Sequence, residues 1–316
     1  MNYKSKTLLL AGISVALILL FLFFDIRGNV EYILTRRSIK IAAIVLTGAS
    51  IAFSTVVFQT ITQNRILTPS ILGLDSLYML INTFIIFVFG SITLTTMDRN
   101  IQFIMIVGIM VLFSGVLYKI LFKREDQNIY LLLLVGIVLG TFFGSFTSFM
   151  EVLIDPNEFQ TVQDKMFASF NNINTDVLLL ATILIILVSL YFMRFLKYLD
   201  VLALGRDNAI NLGVDYDKVV KSLLVVVAIL ISISTALVGP ITFLGLLVAN
   251  LSYEFLKTYK HTYLILGAIF ISIIALVGGQ FIVEKVFTFS TTLSVIINFV
   301  GGLYFIYLLL KENKSW

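Results

Sequence analysis

Long, uninterrupted apolar runs separated by brief polar breaks set the pattern of this chain. Leu8 to Phe24 passes without a charge, and runs of the same character recur to the C-terminal end. Polar and apolar positions do not alternate within them, as they would over about ten residues in an outer-membrane strand. Backbone groups in hydrocarbon must bond within their own segment, so each run predicts a helix. One crossing needs about 20 residues. Ten crossings are predicted, at about 7–24, 39–60, 72–94, 101–121, 129–149, 176–195, 219–238, 242–257, 262–283 and 292–310. Two connections are longer than a tight turn requires, at about 150–175 and about 196–218. The first carries Glu151, Asp155, Glu158 and Asp164 against Lys165, and the second is rich in Gly, Asp, Asn and Arg.

Composition sharpens this into a fold class. Of 316 residues, 59% are hydrophobic and 13% charged, and mean hydropathy is +1.04. A soluble surface needs about 25% charge. The chain therefore reads as one all-α, polytopic membrane bundle over residues 1–316, with no separate soluble domain. Lys4 and Lys6 precede the first run as in a secretory signal, but Asp25-Ile26-Arg27-Gly28 offers no small-residue cleavage site, so that run is expected to remain as a crossing. With the N-terminus inside, fifteen of the 22 Lys and Arg residues fall on the inner side and seven on the outer. That bias predicts both termini in the cytoplasm.

Charge and rare residues exclude several functions. The net charge of +4 is dispersed, with no basic run interleaved with aromatics, so nucleic acid is not an expected partner. The chain has no Cys, which removes disulfides and thiolate chemistry. His261 is the single histidine; beside Lys260 at the inner end of a crossing, it is expected to be a solvated loop residue. No phosphate-cradling G-x-x-x-x-G-K-[ST] occurs, nor H-E-x-x-H, nor G-x-S-x-G. No catalytic residue, metal site or cofactor is expected, and any ATP hydrolysis would belong to other subunits.

Five segments stand out against the apolar background. Leu202 to Val214, with Leu204, Gly205, Arg206, Asn208, Ala209, Leu212 and Gly213, predicts a short helix in the inner plane, capped by Asp207 or Asn208 and ended by Gly213. It reads either as a plain loop or as a platform for a cytoplasmic partner. Gly239-Pro240 breaks a helix, and Asn250 beyond it stands in an apolar run, where an interhelical hydrogen bond is the usual use. Phe58 to Asp75, with Gln59, Asn64, Pro69 and Asp75, is polar and Pro-broken; such backbone at membrane depth must lie in protein or beside a water-filled cavity. Asp75 either caps the third crossing or faces a pathway. Gly136, Gly140 and Gly144 form a flat stripe suited to internal packing or to a subunit interface or pathway wall. Arg36, Arg37 and Lys40, with Lys285 on the same outer side, run against the inner bias; they are interfacial anchors or a docking patch.

Taken together these segments resemble the permease family of bacterial ABC importers for ferric siderophores, haem and cobalamin (type II, FecCD-like). Leu204 to Gly213 is similar to its L-G-x-x-x-A-x-x-L-G segment, and Gly239 to Leu246 to its G-P-I-x-F-x-G-L motif. Gly48 to Gln59 followed by Asn64 to Gly73 resembles G-x-x-L-x-x-x-G-x-x-x-Q … R-N-P-L-x-x-P-x-x-L-G, and Gly301 to Leu309 its closing motif. The order and spacing hold from about residue 36 to about 310. The chain departs at Ala249-Asn250, where the family often has Pro-His, at Arg65 to Thr68, and at Thr291 to Ser294. Asn64 to Tyr78 resembles the branch serving petrobactin- or anguibactin-like siderophores.

The resemblance implies a transmembrane permease subunit of an ABC importer in the bacterial cytoplasmic membrane, surrounded by lipid and carrying ferric siderophore inward. It implies a second permease, identical or related, meeting this one through the fifth and tenth crossings. Separate ATPase subunits would dock on Leu204 to Gly213. An extracytoplasmic siderophore-binding protein would dock through acidic residues on Arg36, Arg37, Lys40 and Lys285. The competing reading is a secondary transporter driven by an ion gradient. It calls for ionisable groups at mid-membrane, where only Asp75 and Glu254 come near.

Overall fold

In the computed structural model, which describes residues 2–26, 28–121, 129–289 and 291–312, thirteen α-helices and one 3-10 turn follow one another. They are α1 (Tyr3–Phe23), α2 (Val30–Thr62), the 3-10 turn Pro69–Leu72, α3 (Leu74–Thr96), α4 (Arg99–Leu121), α5 (Ile129–Leu153) and α6 (Pro156–Met166). Then come α7 (Thr175–Phe192), α8 (Leu196–Leu202), α9 (Arg206–Asn211), α10 (Tyr216–Val238), α11 (Leu244–Leu256), α12 (His261–Lys285) and α13 (Leu293–Glu312). Arg27, Lys123, Arg124 and Lys314, four of the basic residues weighed for orientation, lie outside the described residues.

Short polar side chains start several of these helices. Asn29 accepts from the Tyr32 N–H, Asp155 from Asn157, Asn174 from Asp176 and Val177, and Asp215 from Lys218. Each satisfies N–H groups that a helix start leaves without an intrahelical partner. Among the described residues nine helices are long and apolar enough to cross a membrane: α1 to α5, α7, α10, α12 and α13. The crossing expected at 242–257 is instead α11, with 13 residues. At 1.5 Å per residue it spans about 20 Å, short of a hydrocarbon core about 30 Å thick.

Burial divides the helices into a hub and a rim. α2 and α10 are the most enclosed, each 72% buried over its apolar window, and α12 follows at 56%. α2 packs on α10, α11 and α12, while α1 lies on α12, α3 on α5, and α4 and α7 on α10. The rim helices turn large apolar side chains outward: Leu8, Ile92, Leu112 and Val152 are all at least 69% exposed. Such a surface belongs in lipid. One crossing, α7, separates α6 from α8 and α9, so these two elaborated connections occupy opposite ends of the bundle.

Candidate coupling end and translocation lining

At one end of the bundle, α8 and α9 make a hook. Gly205 joins them with φ +98° and Gly213 closes α9 with φ +81°, backbone that side chains rarely tolerate. The Val214 N–H reaches the Ala209 carbonyl at 3.0 Å and the Gly213 N–H the Ile210 carbonyl at 2.9 Å, the paired bonds of a glycine-terminated helix end. Gly213 thus ends the helix as its sequence predicts. The start differs: Gly205 is the N-cap, without a side-chain cap, and Asp207 sits in the first turn. Ala209 is buried, while Leu204, Arg206, Asn208, Ile210 and Leu212 face outward. Leu204 and Leu212 are 56% and 63% exposed, so the hook offers apolar and polar contacts beyond the end of the bundle.

The hook is tied to the hub by residues that no motif signals. Gln63 Nε2 reaches the Leu202 carbonyl at 3.5 Å, and a side chain at Gly205 would meet the same amide. His261, expected in a solvated loop, is buried at the first turn of α12. Its Nδ1 donates to Asp200 Oδ1 on α8 at 2.6 Å, its backbone N–H to the same oxygen at 2.9 Å, and its Nε2 meets the Thr60 hydroxyl of α2 at 2.9 Å. The reason is positional. A chain turning into α12 at Lys260 brings the imidazole down between α8 and α2, where burial is tolerated because each ring nitrogen has a partner. A cavity of about 310 Å³ opens beside it, lined by Gln59, Gln63, Arg65 and Tyr253 among others.

Next to this lies the broken backbone. α2 ends at Gln63 in the left-handed region. The stretch that follows is held from two sides, because Gln59 Nε2 and Asn250 Nδ2 both donate to the Arg65 carbonyl, at 2.6 and 2.8 Å. Asn64 Oδ1 accepts from the Ile66 N–H. Arg65 lays its guanidinium over Tyr253, 4.6 Å from the ring centre. Pro69 opens the 3-10 turn and is buried. Asp75 is in the first turn of α3, not at its N-cap, and accepts from the Thr242 hydroxyl at 3.3 Å. The two helix breaks, around residue 69 and around residue 240, therefore meet.

The α5 glycines receive that break. A Cβ on Gly136 would fall 2.9 Å from the Ile71 carbonyl oxygen and 2.9 Å from Leu72 Cα, and Gly140 lies against Gly73. Both positions serve packing within this chain. Gly144 has nothing within 4 Å of an added Cβ, and around it Phe142, Phe146 and Phe149 are exposed.

At the α6 end, most of the cations expected to face a partner are engaged internally. Arg37 Nη1 donates to the Phe21, Leu22 and Phe24 carbonyls at 3.1, 2.9 and 2.8 Å, completing the C-terminus of α1. Lys40 pairs with Glu284, and Lys285 with Asp25 at 3.0 Å. Arg36 is exposed, over Tyr32. No group of three or more His, Asp or Glu side chains among the described residues is placed to hold a metal ion.

The sequence and fold have known relatives. The model of the FecCD transport family matches residues 8–311. The chain belongs to the FecCD transport family. It is 70% identical over 316 residues, all of both chains, to the petrobactin import system permease protein YclO of Bacillus subtilis. It is 39% identical to the petrobactin import system permease protein FatC of Bacillus anthracis, over 89% of this chain and 79% of that one. Among solved structures, an inward-facing metal-chelate type ABC transporter superposes with TM-score 0.83 at 20% identity, covering 98% of this chain and 100% of that chain. The FecCD chain is thus a multi-pass membrane protein with a transport role.

Proposed function

We propose that this chain is the membrane-spanning subunit of an ABC importer that carries a ferric siderophore of the petrobactin type into the cytoplasm. The observation that carries this reading is full-length identity of 70% to a petrobactin import permease, with the family motifs in order. The Lys and Arg bias puts the hook and both termini in the cytoplasm. Separate ATPase subunits grip the hook through Leu204, Arg206, Asn208 and Leu212, with Gly205 and Gly213 fixing its shape. A second permease, a copy or a relative, packs on the outward faces of α5 and α13, where Gly144 and Phe299 are open to contact. An extracytoplasmic binding protein docks at the α6 end, with Arg36 as its exposed cation. Gln59, Asn64, Pro69, Asp75 and Asn250 shape the pathway wall by holding its broken backbone. A large cargo favours a passage with few strong contacts, since tight binding would trap it.

The test is uptake of labelled ferric petrobactin by cells lacking the gene and complemented with it, and by vesicles with the ion gradients collapsed. Uptake that requires ATP and survives that collapse is expected. Gradient-driven uptake without ATP identifies a secondary transporter instead. Gly205→Asp and Gly213→Asp are expected to abolish uptake at normal membrane levels; normal uptake in both removes the hook from the mechanism.

A further inference from the structure

A second set of cations, which no motif signals, lines a recess at the α6 end. A cavity of about 300 Å³ lies between α3, α4, α6, α7 and α10. Tyr78 and Phe103, both nearly inaccessible, form part of its floor. Arg99 from the start of α4 and Lys165 from the end of α6 stand over that floor, with Asn172 beside them. Two neighbouring cavities continue the recess. One shares Tyr78, Lys165 and Asn172 and runs to Val238 and Thr292; the other shares Arg99 and Asn172 and runs to Arg36 and Lys40. Four cations line the three cavities against one acid, Asp164.

The charges here are unlike those at the rest of this end. Lys40 and Lys285 are each matched by a carboxylate. Neither Arg99 nor Lys165 makes a salt bridge or hydrogen bond through its side chain among the described residues. Burial pushes the Lys165 ammonium below its ordinary range, Arg99 pushes it further, and Asp164 acts the other way. Two like charges held near each other, one of them partly desolvated, favour an anion that enters between them. An anion seated there gains charge-assisted bonds from a guanidinium fork and an ammonium, while the rings beneath suit an apolar or aromatic body.

We propose that Arg99 and Lys165 form a receiving site for anionic oxygens of an incoming metal chelate. The proposal rests on the import reading and adds the place where the cargo first meets this chain. The recess continues along this same end to Val238, the last residue of α10, and Thr292, just ahead of α13, so the site lies at the mouth of the bundle where cargo would arrive. A surface acid of a docking protein would find Arg36 at the rim more readily than a recessed, half-buried lysine.

The experiment uses the full-length chain in nanodiscs of phosphatidylcholine, with iron(III) citrate as the anionic probe and a neutral iron(III) trihydroxamate as control. Citrate chelate binding is expected to weaken roughly tenfold in Arg99→Gln and in Lys165→Gln. Lys165→Arg is expected to retain it, and the neutral chelate to be insensitive to all three. Elution of each variant as a monodisperse species separates lost binding from lost folding. Absence of citrate binding by the unmodified chain overturns the proposal, as does equal weakening for the neutral chelate. Displacement of the probe by phosphatidylglycerol in the nanodisc at the same affinity assigns the recess to lipid phosphate and also overturns it. Failure of the chain to import any siderophore in cells would strike the import reading alone, because the binding measurement does not depend on transport.

Discussion

His261 shows how much a single side chain holds at the α8–α9 end of the bundle. Its ring bridges Asp200 on α8 and Thr60 on α2 while its own backbone starts α12. His261→Ala removes both ring contacts, one to the buried Thr60 hydroxyl and one to the half-exposed Asp200 carboxylate, at about 0.5–1.5 kcal/mol for each hydrogen bond lost. A lowered unfolding midpoint in detergent is expected. Asp200→Ala added to it should cost less than it does alone, because partners in one network do not act additively. Additive costs would show that the two residues act separately. The site was only partly legible at this scale. Gly205 and Gly213 announced themselves by residue type, since few other residues accept their backbone. His261 did not, because Lys260-His261-Thr262 reads as a solvated string until the path of α12 is known. Gln63 and Lys165 were equally silent, being polar residues in polar loops. Arg37 and Lys40 were visible as cations, but the carbonyls and the carboxylate that engage them lie far away in sequence or on another helix.

Among the elements, the contact of α5 with the 3-10 turn is the most exacting. Backbone meets backbone there, and neither side is able to retreat as a flexible side chain would. Gly136→Leu and Gly140→Leu are therefore expected to destabilise by about 1–3 kcal/mol, the usual range for overpacking. Gly144→Leu has open space around it and should leave thermal stability of the isolated chain unchanged. Size-exclusion profiles after graded heating compare the three. If Gly144→Leu is the most damaging, the internal role assigned to the other two is wrong. The helices themselves were readable because lipid demands long apolar runs, and nine emerged with ends within a few residues of expectation for most. α11 was overestimated. Thr242, Phe243 and Lys257 were counted into it, yet after the Gly239-Pro240 break the chain stays non-helical until Leu244, and Lys257 turns left-handed at the C-cap. The internal use of Gly136 and Gly140 needed the position of the 3-10 turn, which sequence spacing does not supply.

For the whole molecule, the two ends carry different kinds of surface. The α8–α9 end exposes leucines beside Arg206 and Asn208, and the α6 end exposes Arg36 and Arg99 while Arg37, Lys40 and Lys285 are engaged within the chain. Arg36→Glu is expected to weaken association with the proposed extracytoplasmic binding protein several-fold, more at low salt than at high. Surface-based binding measurements over a salt series check this, and an unchanged affinity removes Arg36 from the interface. Arg37→Ala should instead lower stability without altering the salt slope, since Arg37 is spent on the end of α1.

The shortness of α11 bears on how the chain enters the bilayer at all. Thirteen residues are too few to lodge in lipid unaided. Its insertion must wait for neighbours, and the Thr242 hydroxyl and the Phe243 N–H find their partners only when Asp75 and Asn298 are already in place. Assembly at the ribosome is thereby ordered: a transcript truncated ahead of α13 would strand this segment, and quality-control proteases would have a natural point of attack.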